Sequence, residues 1–256
     1  MKTEAALTSG DLAFYRGDYA SALKLYRGAG GNADDPATLL RIANHLGRTG
    51  HADEAIALID RSEASARLPN ARYLADLALR RGTIELQRGR WDQAARQFDR
   101  AAALFPGWWL AEAHRAQMLA LAGKTGPATA AFLHIVRNNP SPEAMDALAS
   151  LYRARGDRER STFWADQARM IWNERLRLFP EASYGHAVEH LLAFGDPAMA
   201  LDFARRDFAN RPYGLTATAL AWALGPEIAV GIGGKPSRRV AGASASRPGR
   251  QGRSRA

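Results

Sequence analysis

The residues best suited to chemistry lie at 186–190, which read His-Ala-Val-Glu-His. On a helix His186 and His190 stand one turn apart. Both imidazoles could then reach one zinc ion, with Glu189 as a general base. Such a site needs a third ligand downstream. Beyond residue 212 the sole acid is Glu227, set among glycine and proline. The five residues are therefore read as a helix surface, with no metal and no catalytic role. A second candidate is the run 231–236, Gly-Ile-Gly-Gly-Lys-Pro. It has the lysine of a phosphate-binding loop, but Ala229 stands where the first glycine belongs and Pro236 where a hydroxyl should hold magnesium. There is no cysteine, which excludes disulfides, thiolate metal sites and a cysteine nucleophile. No catalytic constellation and no cofactor is expected.

Charge offers a different chemistry. The net charge is +9, and residues 231–256 supply most of it through Lys235, Arg238, Arg239, Arg247, Arg250, Arg253 and Arg255, without one acid. The body before residue 231 is close to neutral, so the high basicity does not mark it as a nucleic-acid surface. The tail would attract polyanions weakly and without sequence preference. Its Gly, Ser, Arg, Ala and Pro cannot bury enough apolar surface to order it. Residues 217–234 have the minimum length for a membrane span, but Glu227 and Pro226 lie near the middle. A capping helix plus loop is the better account, and no membrane span is expected. The first residues lack a long apolar core and carry Glu4, so no signal peptide is read there and a cytoplasmic location is expected.

The elements that must position all these residues are set by a repeat. Gly89, Ala94, Phe98 and Pro106 recur as Gly123, Ala128, Phe132 and Pro140, each 34 residues later. Trp91, Ala94, Ala95, Phe98, Ala101 and Ala102 fall at helical spacing and form one apolar face. Ala94 is small where two helices approach, and Phe98 fills the space beside it. Gly89 permits the reversal between helices, and Pro106 ends the second one. This pattern resembles the tetratricopeptide repeat (TPR). Earlier copies turn at Gly17-Asp18-Tyr19 and at Gly50-His51-Ala52, and later ones at Gly156-Asp157 and Gly195-Asp196. The glycines are spaced 33, 39, 34, 33 and 39 residues apart, so two copies are lengthened. One extension falls near residues 62–74. The other falls in 158–178, read as a single long helix closed by Pro180. In the fifth copy Ser161 replaces the usual alanine and Ala165 the aromatic residue.

The resemblance implies an all-α, right-handed superhelix of stacked helix–turn–helix repeats. About six copies would fill residues 3–224, with the helix at 215–224 as a cap. Gly225-Pro226 is expected to end that helix, and 225–256 to be a disordered basic tail. In this family the first helices of the repeats line a concave groove. The positions that face it correspond here to Arg41, Asn44 and Arg48, then Asp76, Arg80, Thr83 and Gln87, then His114 and Gln117. The fifth and sixth copies give Glu143, Asp146, Ser150, Arg153, His186 and Glu189. Leu40 and Leu110 occupy places where a chaperone-binding carboxylate clamp would need basic residues. The resemblance thus implies a non-enzymatic scaffold that takes a peptide or partner protein in its groove. The rival reading is a nucleic-acid or acidic-surface binder acting through the tail.

Overall fold

The computed structural model describes residues 2–29, 35–67 and 69–231. Among them are thirteen helices and no strand. They run α1 (Lys2–Tyr15), α2 (Tyr19–Gly28), α3 (Pro36–Arg48), α4 (Ala52–Ser65), α5 (Ala71–Gln87), α6 (Trp91–Leu104) and α7 (Trp109–Leu121). After these come α8 (Thr125–Asn138), α9 (Pro142–Ala154), α10 (Arg158–Leu178), α11 (Pro180–Phe194), α12 (Pro197–Asn210) and α13 (Gly214–Gly231). Consecutive helices pair into six hairpins that stack as a right-handed superhelix, and α13 follows the sixth.

The chain begins many of these helices with the same chemistry. Asp35-Pro36, Ser141-Pro142 and Asp196-Pro197 each supply a side-chain cap followed by a proline that needs no amide partner. The hairpin turns are equally regular. Gly17, Gly50, Gly89, Gly123 and Gly156 take φ between +72° and +91°, a region open to glycine at little cost. In each, the following amide reaches back five residues to close the first helix: Asp18 to Ala13, His51 to Leu46, Arg90 to Glu85, Lys124 to Leu119 and Asp157 to Tyr152, at 2.8–3.0 Å. The sixth turn breaks the rule. Gly195 has φ −121°, and its amide donates to the Leu191 carbonyl instead.

Small residues let the paired helices meet. Ala22, Ala55, Ala94, Ala128 and Ala200 are wholly buried. A Cβ at Gly82 would lie 2.5 Å from the Phe98 ring, and one at Gly10 would lie 2.5 Å from Tyr26. Each core then spans a hairpin and the first helix of the next. Ala78, Leu79, Ala94, Phe98, Ala101, Ala111 and Met118 join α5, α6 and α7. Ala116, Ala128, Phe132, Ile135, Leu148 and Tyr152 join α7, α8 and α9. No hairpin buries its own face, so stacking is obligatory. The adjacent Trp108 and Trp109 divide between these two cores, so both are partly buried.

The long helix read at 158–178 is present with those bounds as α10. The expected break at Gly225-Pro226 is corrected: α13 continues to Gly231. Pro226 lacks the amide that would bond the Trp222 carbonyl. The helix is held from the side by Ala219, Leu220, Ala223 and Leu224 packing on Val188, Leu201 and Ala204 of the sixth repeat. The expected disordered tail lies, from residue 232 on, outside the described residues. No helix among the described residues is long and apolar enough to cross a membrane.

Candidate functional site

The first helices of successive repeats, α3, α5 and α7, carry the eight candidate groove residues. Arg41 donates to Asp11 at 3.0 Å and to Glu4 at 3.2 Å, tying α3 to α1. Asp11 also accepts from the Tyr26 hydroxyl at 2.8 Å, and burial together with this bond pushes the Tyr26 phenol upward. Asn44 is half-buried on the same helix, and Arg48 is exposed one turn further on. Arg80 donates to Asp76 at 2.7 Å along α5. The Thr83 hydroxyl donates to the Leu79 carbonyl at 3.0 Å, and Gln87 is exposed. On α7, His114 stacks face to face on Phe98, 4.5 Å between ring centres and 10° between planes. Burial against that ring holds the imidazole below its ordinary range. Its Nδ1 lies 3.1 Å from the Oε1 of exposed Gln117.

Two kinds of residue are therefore found among these eight. Arg41 and Arg80 have their guanidinium groups engaged by neighbouring carboxylates. Such half-exposed pairs can re-form with an incoming carboxylate at small cost. Arg48, Gln87 and Gln117 present their polar ends to solvent.

The fifth and sixth repeats are built differently. Asp146 on α9 accepts from the Trp172 indole at 2.9 Å and from His190 Nδ1 at 2.6 Å. Trp172 comes from the added turn of α10 and is 2 % exposed. Arg175, one turn on, covers the Trp172 ring at 5.1 Å and donates to Glu143 at 2.8 Å. His186 stacks on the outer side of Trp172, with 6.0 Å between ring centres. The Glu189 carboxylate, 4.0 Å from Nδ1, raises the His186 imidazole above its usual range. His190 is thus buried on Asp146 while His186 is exposed over an indole, so the two imidazoles have separate structural partners. Among the described residues no group of three His, Cys, Asp or Glu side chains could hold a metal ion. Ser150 is half-buried on α9. Arg153 reaches across to the Ala193 carbonyl at 2.8 Å and covers Phe194 at 4.5 Å.

The position rule for the repeat found Asp146 and His186 but not their shared partner. Trp172 lies 26 residues from Asp146, and the signal for it was the 39-residue spacing that lengthened α10.

Two solved structures of MamA have the same architecture. One aligns with a TM-score of 0.52 at 17% identity, over 66% of this chain and 96% of its own. The other gives 0.50 at 17%, over 70% and 95%. The fold is a TPR-type solenoid. YrrB, described as a TPR protein with an unusual peptide-binding site, aligns at 0.45 and 18% identity over 68% of this chain and 85% of its own. No family model and no curated protein matches the chain in sequence.

Proposed function

We propose that this protein is a non-enzymatic scaffold that binds an extended segment of a partner protein along its concave face. The observation that carries the reading is the line of polar side chains on α3, α5 and α7. Arg48, Gln87 and Gln117 are exposed there, while Arg41 and Arg80 are held by carboxylates that a ligand can replace. Amide and guanidinium donors on successive helices suit a peptide backbone and its carboxylates. Catalysis has no matching support in the geometry: Asp146 and His190 are spent on each other and on Trp172, inside the packing of α9, α10 and α11.

The test is capture of partners from the native host by the intact chain and by Arg80→Glu. Reversing this charge should weaken capture of an acidic or carboxylate-bearing segment by about tenfold, roughly 1.4 kcal/mol. The melting curve should barely move, because the Arg80–Asp76 pair is a half-exposed pair within one helix. Undiminished capture would place the partner elsewhere. The rival reading rests on residues 231–256. It predicts salt-sensitive, sequence-independent binding of DNA or RNA that disappears when they are deleted.

A further inference from the structure

The two ends of the solenoid touch. The Gly214 amide donates to the Tyr19 hydroxyl at 2.9 Å, across 195 residues of sequence. The Tyr213 ring stands edge-on to Tyr15, 5.2 Å between centres, and tilted against Phe14 at 6.0 Å. Tyr213 thereby packs onto the core of the first repeat, formed by Leu7, Phe14, Ala22 and Tyr26. His45 from α3 backs the same aromatic group through Phe14 and Tyr19. A Cβ at Gly17 would run into the Pro212 carbonyl oxygen. The equivalent turn glycines Gly50, Gly89, Gly123 and Gly156 share the positive φ but have no atom that close. Gly17 therefore serves a turn and a seam at once.

Within the stack, the turns inside hairpins line one edge of the ribbon and the loops between hairpins line the other. Gly17 belongs to the first edge, and residues 212–213 to the second. The start of the superhelix thus rests on its end, edge to edge, after about six repeats. A TPR ribbon joined in this way encircles its concave face.

We propose that this seam is a clasp that regulates access to the concave face: closed, it admits a partner only along the superhelix axis, and open, it admits one from the side. The proposal rests on the scaffold reading of that face. Among the described residues the seam is small: it includes one hydrogen bond, the Tyr213 ring and one close backbone approach. The interfaces between neighbouring hairpins are whole helix faces. The ends can therefore part while every hairpin stays folded. A ligand that prefers one arrangement shifts the balance by its difference in affinity for the two.

The absence of native cysteines makes the test clean, since any cysteine introduced is unique. Spin labels go on Thr8→Cys and Ala217→Cys, both exposed, on α1 and α13. Pulsed electron spin resonance then reads the distance between them. The otherwise unaltered chain should give one short, narrow distance. Gly17→Ala and Tyr213→Ala should move most molecules to longer distances. Gly89→Ala introduces the same turn strain without the neighbour and should leave the distance unchanged. The second readout is access to the face. Gln117→Cys is labelled with N-ethylmaleimide and with a large polyethylene-glycol maleimide. Opening the seam should raise the large reagent's rate severalfold relative to the small one, with circular dichroism unchanged.

Three results would each overturn the clasp. They are long distances in the unaltered chain, equal effects of Gly17→Ala and Gly89→Ala, and a large-reagent rate unmoved by opening. None of these requires a partner, so failure of the scaffold reading, seen in the Arg80→Glu capture experiment, remains a separate result.

Discussion

The hairpins α5–α8 and the hairpins α9–α12 occupy equivalent places in one stack, yet they are held together differently. The first pair keeps an exact 34-residue period, and among the buried residues it supplies are alanines with Phe98, Phe132 and Ile135. The second pair has lost the aromatic at Ala165 and gained a turn of helix. It fills the gap with Trp172 and ties it through Asp146 to His190. Nearby, Ser161 donates to the Ala149 carbonyl at 2.9 Å, and buried Asp207 accepts from Arg211 at 2.6 Å. Apolar packing tolerates small shifts and carries no direction, whereas these hydrogen bonds fix particular atoms at particular distances. A solenoid can thus depart from its repeat when directional contacts replace the shape match that the repeat supplied.

The comparison is broken most forcefully at its apolar side. Phe98→Ala leaves a hole beneath three helices and should cost about 3–5 kcal/mol, measured by urea unfolding. At the polar side, Asp146→Ala strands two buried donors and should cost about 2–3 kcal/mol, with Asp146→Asn recovering part of it. Equal losses in Asp146→Ala and Asp146→Asn would show that the carboxylate contributes only its shape.

Acid should act on the regular hairpins through His114. Its imidazole is held low by burial against Phe98, so the folded chain resists its protonation. Stability contributed here is complete above about pH 6.5 and is lost as pH falls through the lowered folded-state value. His45 in the second repeat works in the same direction, lowered by burial and then by Arg27 and His51. Unfolding series at several pH values should show a shallower acid slope in His114→Gln than in the unaltered chain. Identical slopes would remove His114 from the account. The smallest effect is expected at Ser161→Ala, which restores the residue that the regular repeats use. It should change stability by less than about 1 kcal/mol. A larger loss would mean that the hydroxyl is a principal tie of the fifth hairpin.

The sequence made the repeats readable because one period recurs in Gly, Ala, aromatic and Pro, and each residue type answers to a local steric demand. The bounds of α10 were readable for the same reason, since no breaker interrupts 158–178. Pairings across 26 or 44 residues leave no such mark: nothing local in Asp146 names Trp172 or His190 as its partner. The position rule also gives His114 as a groove residue without revealing that its ring stacks on Phe98. Gly195 shows the converse failure. It has the residue type of a turn glycine, but its backbone is extended and the sixth turn closes by another bond. Gly225-Pro226 misleads in the same way: α13 continues to Gly231, although its packing on the sixth repeat comes from Ala219 to Leu224, before the breaker.

The joined ends also bear on how the molecule comes into being. Nearly all contacts in a helical solenoid are short in sequence, so hairpins can form as the chain is synthesised, starting from the N-terminus. The contacts of residues 212–214 with the first hairpin are the exception, and the bond from Gly214 to Tyr19 alone spans 195 residues. The intervening repeats form a stiff arc once ordered, so the logarithmic cost of closing a flexible loop of that length does not apply. That bond is available only after α12 has emerged and the chain has reached residue 214. Until then the growing protein is an open arc with its inner face bare. A partner present at the site of synthesis would meet that arc before the ends join, and one arriving later would meet the joined ends.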